Sequence, residues 1–204
     1  MADADPIALQ LPSKYASGGP TVASTSAPSL EWLARTWTVT HSTLSMWRSA
    51  RNVRISYKPL PPRSDGRQRI DDRVEYEPSS ETGVCKTVEG VDMQAEAGRG
   101  QAWDWRGKSW LFFVTSHWEL LGWGEETTAD GQTERWAVTW FAPTIFTKEG
   151  LDIYCDRREG LSEATYARVY RALENMDAAH VAAMVATHMR PVEIKLPWTE
   201  KPAR

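Results

Sequence analysis

Residues 103–141 read WDWRGKSWLFFVTSHWELLGWGEETTADGQTERWAVTWF and hold seven of the chain's eleven tryptophans. Successive side chains of a strand point to opposite faces. That alternation places Trp103 and Trp105 on one face of one strand, Trp118 and Leu120 on one face of another, and Trp136, Val138 and Trp140 on one face of a third. The stretch is a β-meander with indole-lined faces. Burying a Trp removes about 150 to 250 Å², on the order of 4 to 6 kcal/mol before entropy is counted. Rings clustered in this way hold a small barrel together or line a pocket inside one.

The same period runs upstream. RTWTVTH puts Trp37, Val39 and His41 on one face, RNVRISYK does so for Val53, Ile55 and Tyr57, and RIDDRVEYE for Asp72, Val74 and Tyr76. GVCKTVEGVDM supplies a fourth strand, less sharply patterned. Further strands are expected at about 101–106, 109–115 and 116–123, the last two alternatively forming one bent strand, followed by ERWAVTWF and GLDIYCDR. The period then changes from 2 to 3.6. Ser162 can cap a helix with Tyr166, Val169, Tyr170 and Leu173 on one stripe, and Asp177 a second with Val181, Met184, Val185 and His188. Both stripes must pack on the sheet.

These elements define an all-β domain with C-terminal helices over residues 30–190, an antiparallel up-and-down barrel of eight to ten strands. Residues 1–29, rich in Ala, Ser, Pro, Gly and Thr, are expected to form a flexible tail. Residues 191–204 read as an extended tail that docks through Ile194, Leu196 and Trp198.

At 204 residues, 41% hydrophobic and 25% charged, the chain makes one domain. A net charge of −3 gives no general attraction to nucleic acid or to anionic membranes. The first residues lack a basic start and a long apolar run, so the expected location is the cytoplasm. Cys85 and Cys155 have no ligand spacing and read as reduced thiols; no metal and no cofactor are expected.

The strand count, a Trp on the first strand and a helix after the last resemble the lipocalin (calycin) superfamily. In that resemblance Trp37, in ARTW, matches the superfamily's strand-A Trp, and Arg157 or Arg158, in YCDRREG, the arginine that lies over it at the closed end. Arg35 stands where lipocalins have glycine. HSTLSMW, RNVRISY, WDWRG, SHWELLGWG and FTKEGLDIY are also similar to phrases of small fungal and bacterial lipocalin-like proteins of unassigned activity. The resemblance implies either a carrier of apolar molecules or a cofactor-free enzyme, as in allene oxide cyclase, phenolic acid decarboxylase and fungal Diels–Alderases.

An eight-stranded barrel has room for side chains or for one small ligand. Inward-facing His41, Tyr57, Asp72 and Tyr76 form either an internal hydrogen-bond network or a ligand-facing polar set. The candidate catalytic groups are His41, able to exchange a proton near neutral pH, Asp72 among apolar neighbours, and Glu119, whose strand face alternation leaves undecided. The candidate ligand-binding residues are Met46 and Trp47 in a loop over the mouth, with Tyr57, Tyr76, Trp103, Trp105, Trp118 and Trp140 in the walls. The resulting expectation is a barrel that binds a small apolar or aromatic molecule and acts as a cofactor-independent cyclase or isomerase of specialised metabolism. A non-catalytic carrier and a protein-interaction or assembly module are the alternatives, and a homo-oligomer is compatible with all three.

Overall fold

The computed structural model describes residues 6–16, 27–95 and 101–200. Its strands are β1 (Thr36–Ser42), β2 (Ala50–Leu60), β3 (Arg69–Pro78), β4 (Lys86–Gln94), β5 (Ala102–Gly107), β6 (Thr115–Thr127), β7 (Thr133–Phe141), β8 (Gly150–Cys155) and the short β9 (Arg190–Pro191). Each of the first seven pairs antiparallel with the next, and β1 pairs with both β2 and β8, so the first eight close into a barrel with β9 appended to β1. The strand expected over 109–115 is instead a loop containing a 3-10 turn at Ser109–Leu111. A single long β6 follows it.

Two bulges decide which residues face inward. In β1 the register slips between Val39 and His41, so Val39 pairs with inward Tyr154 while His41 pairs with Ile153, which packs under the helices. An extra residue in one strand reverses the facing of everything beyond it. In β6 a slip between Leu120 and Gly122 keeps Trp118, Leu120 and Trp123 on the inner side and sends Leu121 outward.

The outer apolar row is made by Leu121, Trp136, Val138 and Trp140 together with Leu151 and Ile153. The short helix α1 (Leu30–Leu33) precedes β1, and the row is covered by α2 (Glu163–Glu174), α3 (Ala179–His188) and the N-terminal segment. The Ser162 hydroxyl accepts from the Thr165 N–H and caps α2. Asp177 does not cap α3, whose N-cap is Ala178 with no side-chain bond.

Where a flexible tail was expected, Ile7, Leu9, Leu11 and Tyr15 pack on this row, and the Gln10 N–H donates to the Leu121 carbonyl at 2.7 Å. Gly122 makes the approach possible, because a Cβ there would collide with the Leu9 side chain. Alternate apolar residues in an otherwise polar segment suffice to cover a row that the helices leave partly open. The rest of the expected tail, residues 1–5 and 17–26, lies outside the described residues. At the other terminus Trp198 is buried, and Asn52, at a β2 bulge with φ 51°, holds the tail by donating to the Lys195 carbonyl and accepting from its N–H, each at 2.7 Å.

The closed end is built around Trp37, which is 0% exposed and donates its indole N–H to the Leu33 carbonyl at 3.0 Å. The guanidinium over it belongs to Arg35, 5.4 Å from the ring centroid and 5.4 Å from that of Trp32. This corrects the expectation for Arg157 and Arg158: Arg157 pairs with buried Glu134 at 3.6 Å, and Arg158 lies over Trp198 at 4.5 Å. The covering side chain thus stands two residues before Trp37 on the same chain segment. Trp37→Ala is expected to cost about 3 to 5 kcal/mol in chemical denaturation, and Arg35→Ala about 0.5 to 2 kcal/mol through the lost cation–π contact. An unchanged midpoint for Trp37→Ala would contradict this closed end.

Candidate functional site

The inner faces of β2, β3, β5, β6 and β8 enclose a chamber of about 630 Å³. Its mouth is framed by Met46 and Trp47 from the 3-10 turn Ser45–Ser49, by Trp110 and Leu111, and by Thr144 and Phe146. Several of these are unusually exposed for their type, with Trp110 at 76% and Phe146 at 65%, and Phe112, Phe113 and Ile145 stand beside them in the same loops. Apolar side chains concentrated at one opening mark an interaction or entry surface.

The walls are π-faces. Tyr57 stacks on Trp118 with centroids 5.8 Å apart and planes within 11°, and Trp103 stacks behind Trp118 at 6.0 Å and 19°. Trp47 meets Tyr76 edge-on at 5.6 Å. Trp105 lies flat against β4 because Gly90 has no side chain; a Cβ there would overlap the indole. Ile55, Val74, Val88 and Phe141 add apolar wall, and Lys86 and Thr87 of β4 also line the chamber.

Three carboxyl groups are buried in this aromatic setting. Asp72 and Asp152 line the chamber, and Asp92 stands in the wall, where its Oδ1 accepts the Trp118 indole N–H at 2.8 Å. Burial pushes Asp72 well above the usual carboxylate range, with the charges of Asp92 and Asp71 adding to the rise and Lys108 and the Trp105 N–H opposing it. Burial also lifts Asp92 to about 7 against the Trp118 hydrogen bond, and Asp152 to about 7 against the Ser42 hydroxyl that donates to it. The Trp47 N–H lies close enough to favour the Asp152 carboxylate without forming a hydrogen bond. The phenols of Tyr57 and Tyr154 are raised by burial and are therefore neutral donors. Asp72 Oδ1, Asp92 Oδ2 and the Tyr154 hydroxyl have no hydrogen-bond partner among the described residues.

Of the residues expected at the site, Met46, Trp47, Tyr57, Asp72, Tyr76, Trp105 and Trp118 surround this chamber, with Trp103 behind Trp118. Three do not. His41 is turned outward by the β1 bulge and stacks on Tyr166 of α2 at 3.7 Å, where burial lowers it to about 4. Glu119 faces outward under the N-terminal segment, accepting from the Ser13 N–H at 2.9 Å and its hydroxyl at 2.5 Å. Burial raises Glu119, but His117 and Ser13 outweigh it and hold the carboxyl low; Glu119 and Asp104 in turn lift His117 to about 8 against the effect of burial. Trp140 also faces out, donating to Glu149 at 2.8 Å and meeting Tyr15 edge-on. Asp92, Asp152 and Tyr154 were missed, although the alternation in LDIYC, with Leu151 and Ile153 on the opposite face, was a usable signal for the last two.

The sequence matches no protein-family model, and comparison with curated proteins finds no significant relative. Among solved structures, the chain is similar to apocrustacyanin C1 at 12% identity, covering 80% of this chain and 78% of that one with a TM-score of 0.52. Lobster apocrustacyanin A1 (10% identity, 80% and 78% covered, TM-score 0.48) and the siderocalin Ex-FABP (9% identity, 81% and 95% covered, TM-score 0.46) are also similar. The fold is lipocalin-like: a closed antiparallel eight-stranded barrel with one extra strand and C-terminal helices. No helix among the described residues is long and apolar enough to cross a membrane.

The buried acids make a pH prediction. With Asp92 at about 7 in the fold and near 3.8 when unfolded, the folded protein keeps a proton that the unfolded chain gives up in that window. Stability from this group is full below the unfolded value and is lost as the pH rises through about 7. Each pK unit corresponds to about 1.4 kcal/mol. Asp92→Asn removes the ionisation and leaves an oxygen for the Trp118 N–H. Its melting temperature relative to the parent should therefore be higher at pH 8 than at pH 4.5, and an equal difference at both would contradict the assigned protonation.

Proposed function

We propose that the chamber binds a small apolar or aromatic molecule and that the protein acts on it as a cofactor-independent cyclase or isomerase, with Asp72 as the proton donor. The observation that carries this reading is a buried carboxyl lining an aromatic chamber, raised by burial and by the neighbouring acids well above the usual carboxylate range, so that its protonated form is favoured. An acid in that state can protonate a bound molecule. The positive charge that develops faces Tyr57, Trp105 and Trp118, and indole and phenol faces stabilise cations. Burial strengthens this attraction, because water no longer screens it.

An isomerisation or ring closure of this kind needs no net proton. Asp72 gives one up at the start and recovers one when the rearranged product loses its charge, so no second substrate is consumed. The fixed walls add a second effect: a flexible molecule confined to about 630 Å³ is restricted to folded conformations, and a near-attack geometry is reached without a nucleophile. Neutral Tyr57 and Tyr154 can donate to a substrate oxygen on the same wall.

The test begins with native mass spectrometry of protein taken from the producing cell, to identify the small molecule that co-purifies. Conversion of that molecule, or of its open-chain precursor, is then followed by parent and variants. Asp72→Asn is expected to retain binding and to lose about 10² to 10⁴ in rate, and Trp105→Ala to change the product distribution. Equal rates for parent and Asp72→Asn would remove the acid step. A ligand that binds and is never altered would make the protein a carrier.

A further inference from the structure

We propose that the molecule taken by the chamber carries a basic nitrogen: an aromatic or polycyclic amine or imine that is bound as a cation between the π-faces and the carboxyl groups of Asp72 and Asp152. This rests on the reading of the chamber as the ligand site, and adds the chemical class of the ligand.

Carboxyl groups are seldom fully buried unless a cation accompanies them. Here Asp72 is 7% exposed, Asp152 1% and Asp92 0%, and among the described residues no side-chain cation is bound to any of them. The neighbouring cations are committed elsewhere: Lys108 to Asp71, Lys86 to Glu81, and Arg48 to the carbonyls of Ser42 and His188. Tyr154 lies within electrostatic reach of Asp72 and Asp152, and Tyr57 within reach of Asp72 and Asp92, so the three acids form one cluster bridged by two phenols. Asp72 Oδ1, Asp92 Oδ2 and the Tyr154 hydroxyl are without partners, and Asp72 and Tyr154 both line the cavity.

This is an unfilled set of acceptors in a box of aromatic rings. An anionic ligand offers no N–H donor to the unpaired carboxyl oxygens and would bring like charge to any carboxyl that ionises, and a neutral hydrocarbon would leave the polar atoms unsatisfied. An ammonium or iminium group supplies N–H donors for the oxygens and a positive charge for both the carboxylates and the rings. The protons balance in either direction of entry. A neutral amine takes the Asp72 proton on its nitrogen lone pair, giving ammonium and carboxylate, whereas an ammonium from solution enters as Asp72 releases its proton to water. The first case is also the activating step of the proposed chemistry, with nitrogen as the atom protonated.

Three probes with one aromatic body separate the possibilities by calorimetric titration at pH 7: tryptamine (cation), 3-methylindole (neutral) and indole-3-acetate (anion). The expected order is tryptamine at least tenfold tighter than 3-methylindole, with indole-3-acetate weakest. Asp72→Asn should bring tryptamine down towards 3-methylindole and leave 3-methylindole unchanged. The order in the parent protein is an independent test that does not depend on the folding of that variant. Val74→Trp, which fills the chamber, should abolish tryptamine binding; persistence would place the amine outside the chamber and overturn the proposal. If 3-methylindole binds as well as tryptamine or better, the amine class is wrong while the chamber remains a ligand site. If none of the three binds, both the class and the chamber reading fail.

Discussion

The Trp118 indole holds the interior of this barrel in place. It stacks between Tyr57 and Trp103 and donates its N–H to Asp92, so one ring joins β2, β5, β6 and β4. The inner end of the chamber is therefore a stack of parallel rings rather than loose aliphatic packing, and the space left above it has fixed walls. The same hydrogen bond satisfies one oxygen of a buried carboxyl whose other oxygen has no partner. Packing and electrostatics are coupled there: the aromatic filling that stabilises the barrel also removes water from Asp72, Asp92 and Asp152 and drives them towards their neutral forms.

The outside is organised around a second aromatic row. Trp136 and Trp140 point away from the chamber and are covered by the two C-terminal helices and by residues 7–15. Glu119 and Glu149 fasten that N-terminal segment, through Ser13 and through Lys14 and Tyr15 respectively. These acids hold the cover in place. They are separated by the sheet from the acids that face the ligand space, and the difference appears in their protonation: Glu119 and Glu149 are held low by their partners, while the inner three are raised by burial.

Much of this was legible in the sequence. Period-2 alternation placed Val53, Ile55 and Tyr57 inward, with Asp72, Val74 and Tyr76 opposite them, and the change of period after residue 161 located both helices. The mouth residues Met46 and Trp47 could be read because a short apolar segment in polar surroundings has to cover something. The misplacement of His41 and the undecided face around Trp118 share one cause. Alternation predicts facing only while the register is unbroken, and single-residue bulges in β1 and β6 carry no clear sequence signature. The first turned His41 out. The second reversed the parity between Trp118 and Trp123. Trp140 failed differently: its row was found correctly, but a two-layered protein buries aromatic residues on both sides of a sheet, and composition cannot say which side holds the cavity. Asp92 was hidden in the least patterned strand, where Gly90 leaves a gap for Trp105 to fill.

The proposed chemistry depends on Asp72 being a protonated carboxylic acid at neutral pH inside an aromatic chamber. Infrared difference spectroscopy between the parent and Asp72→Asn at pH 7 addresses it directly, since the carbonyl stretch of a protonated carboxyl is separate from that of a carboxylate. A protonated-carboxyl band is expected in the parent and should be absent from the variant. A carboxylate band lost in its place would show that Asp72 is ionised, and would contradict both its role as acid and the electrostatics from which that role was derived.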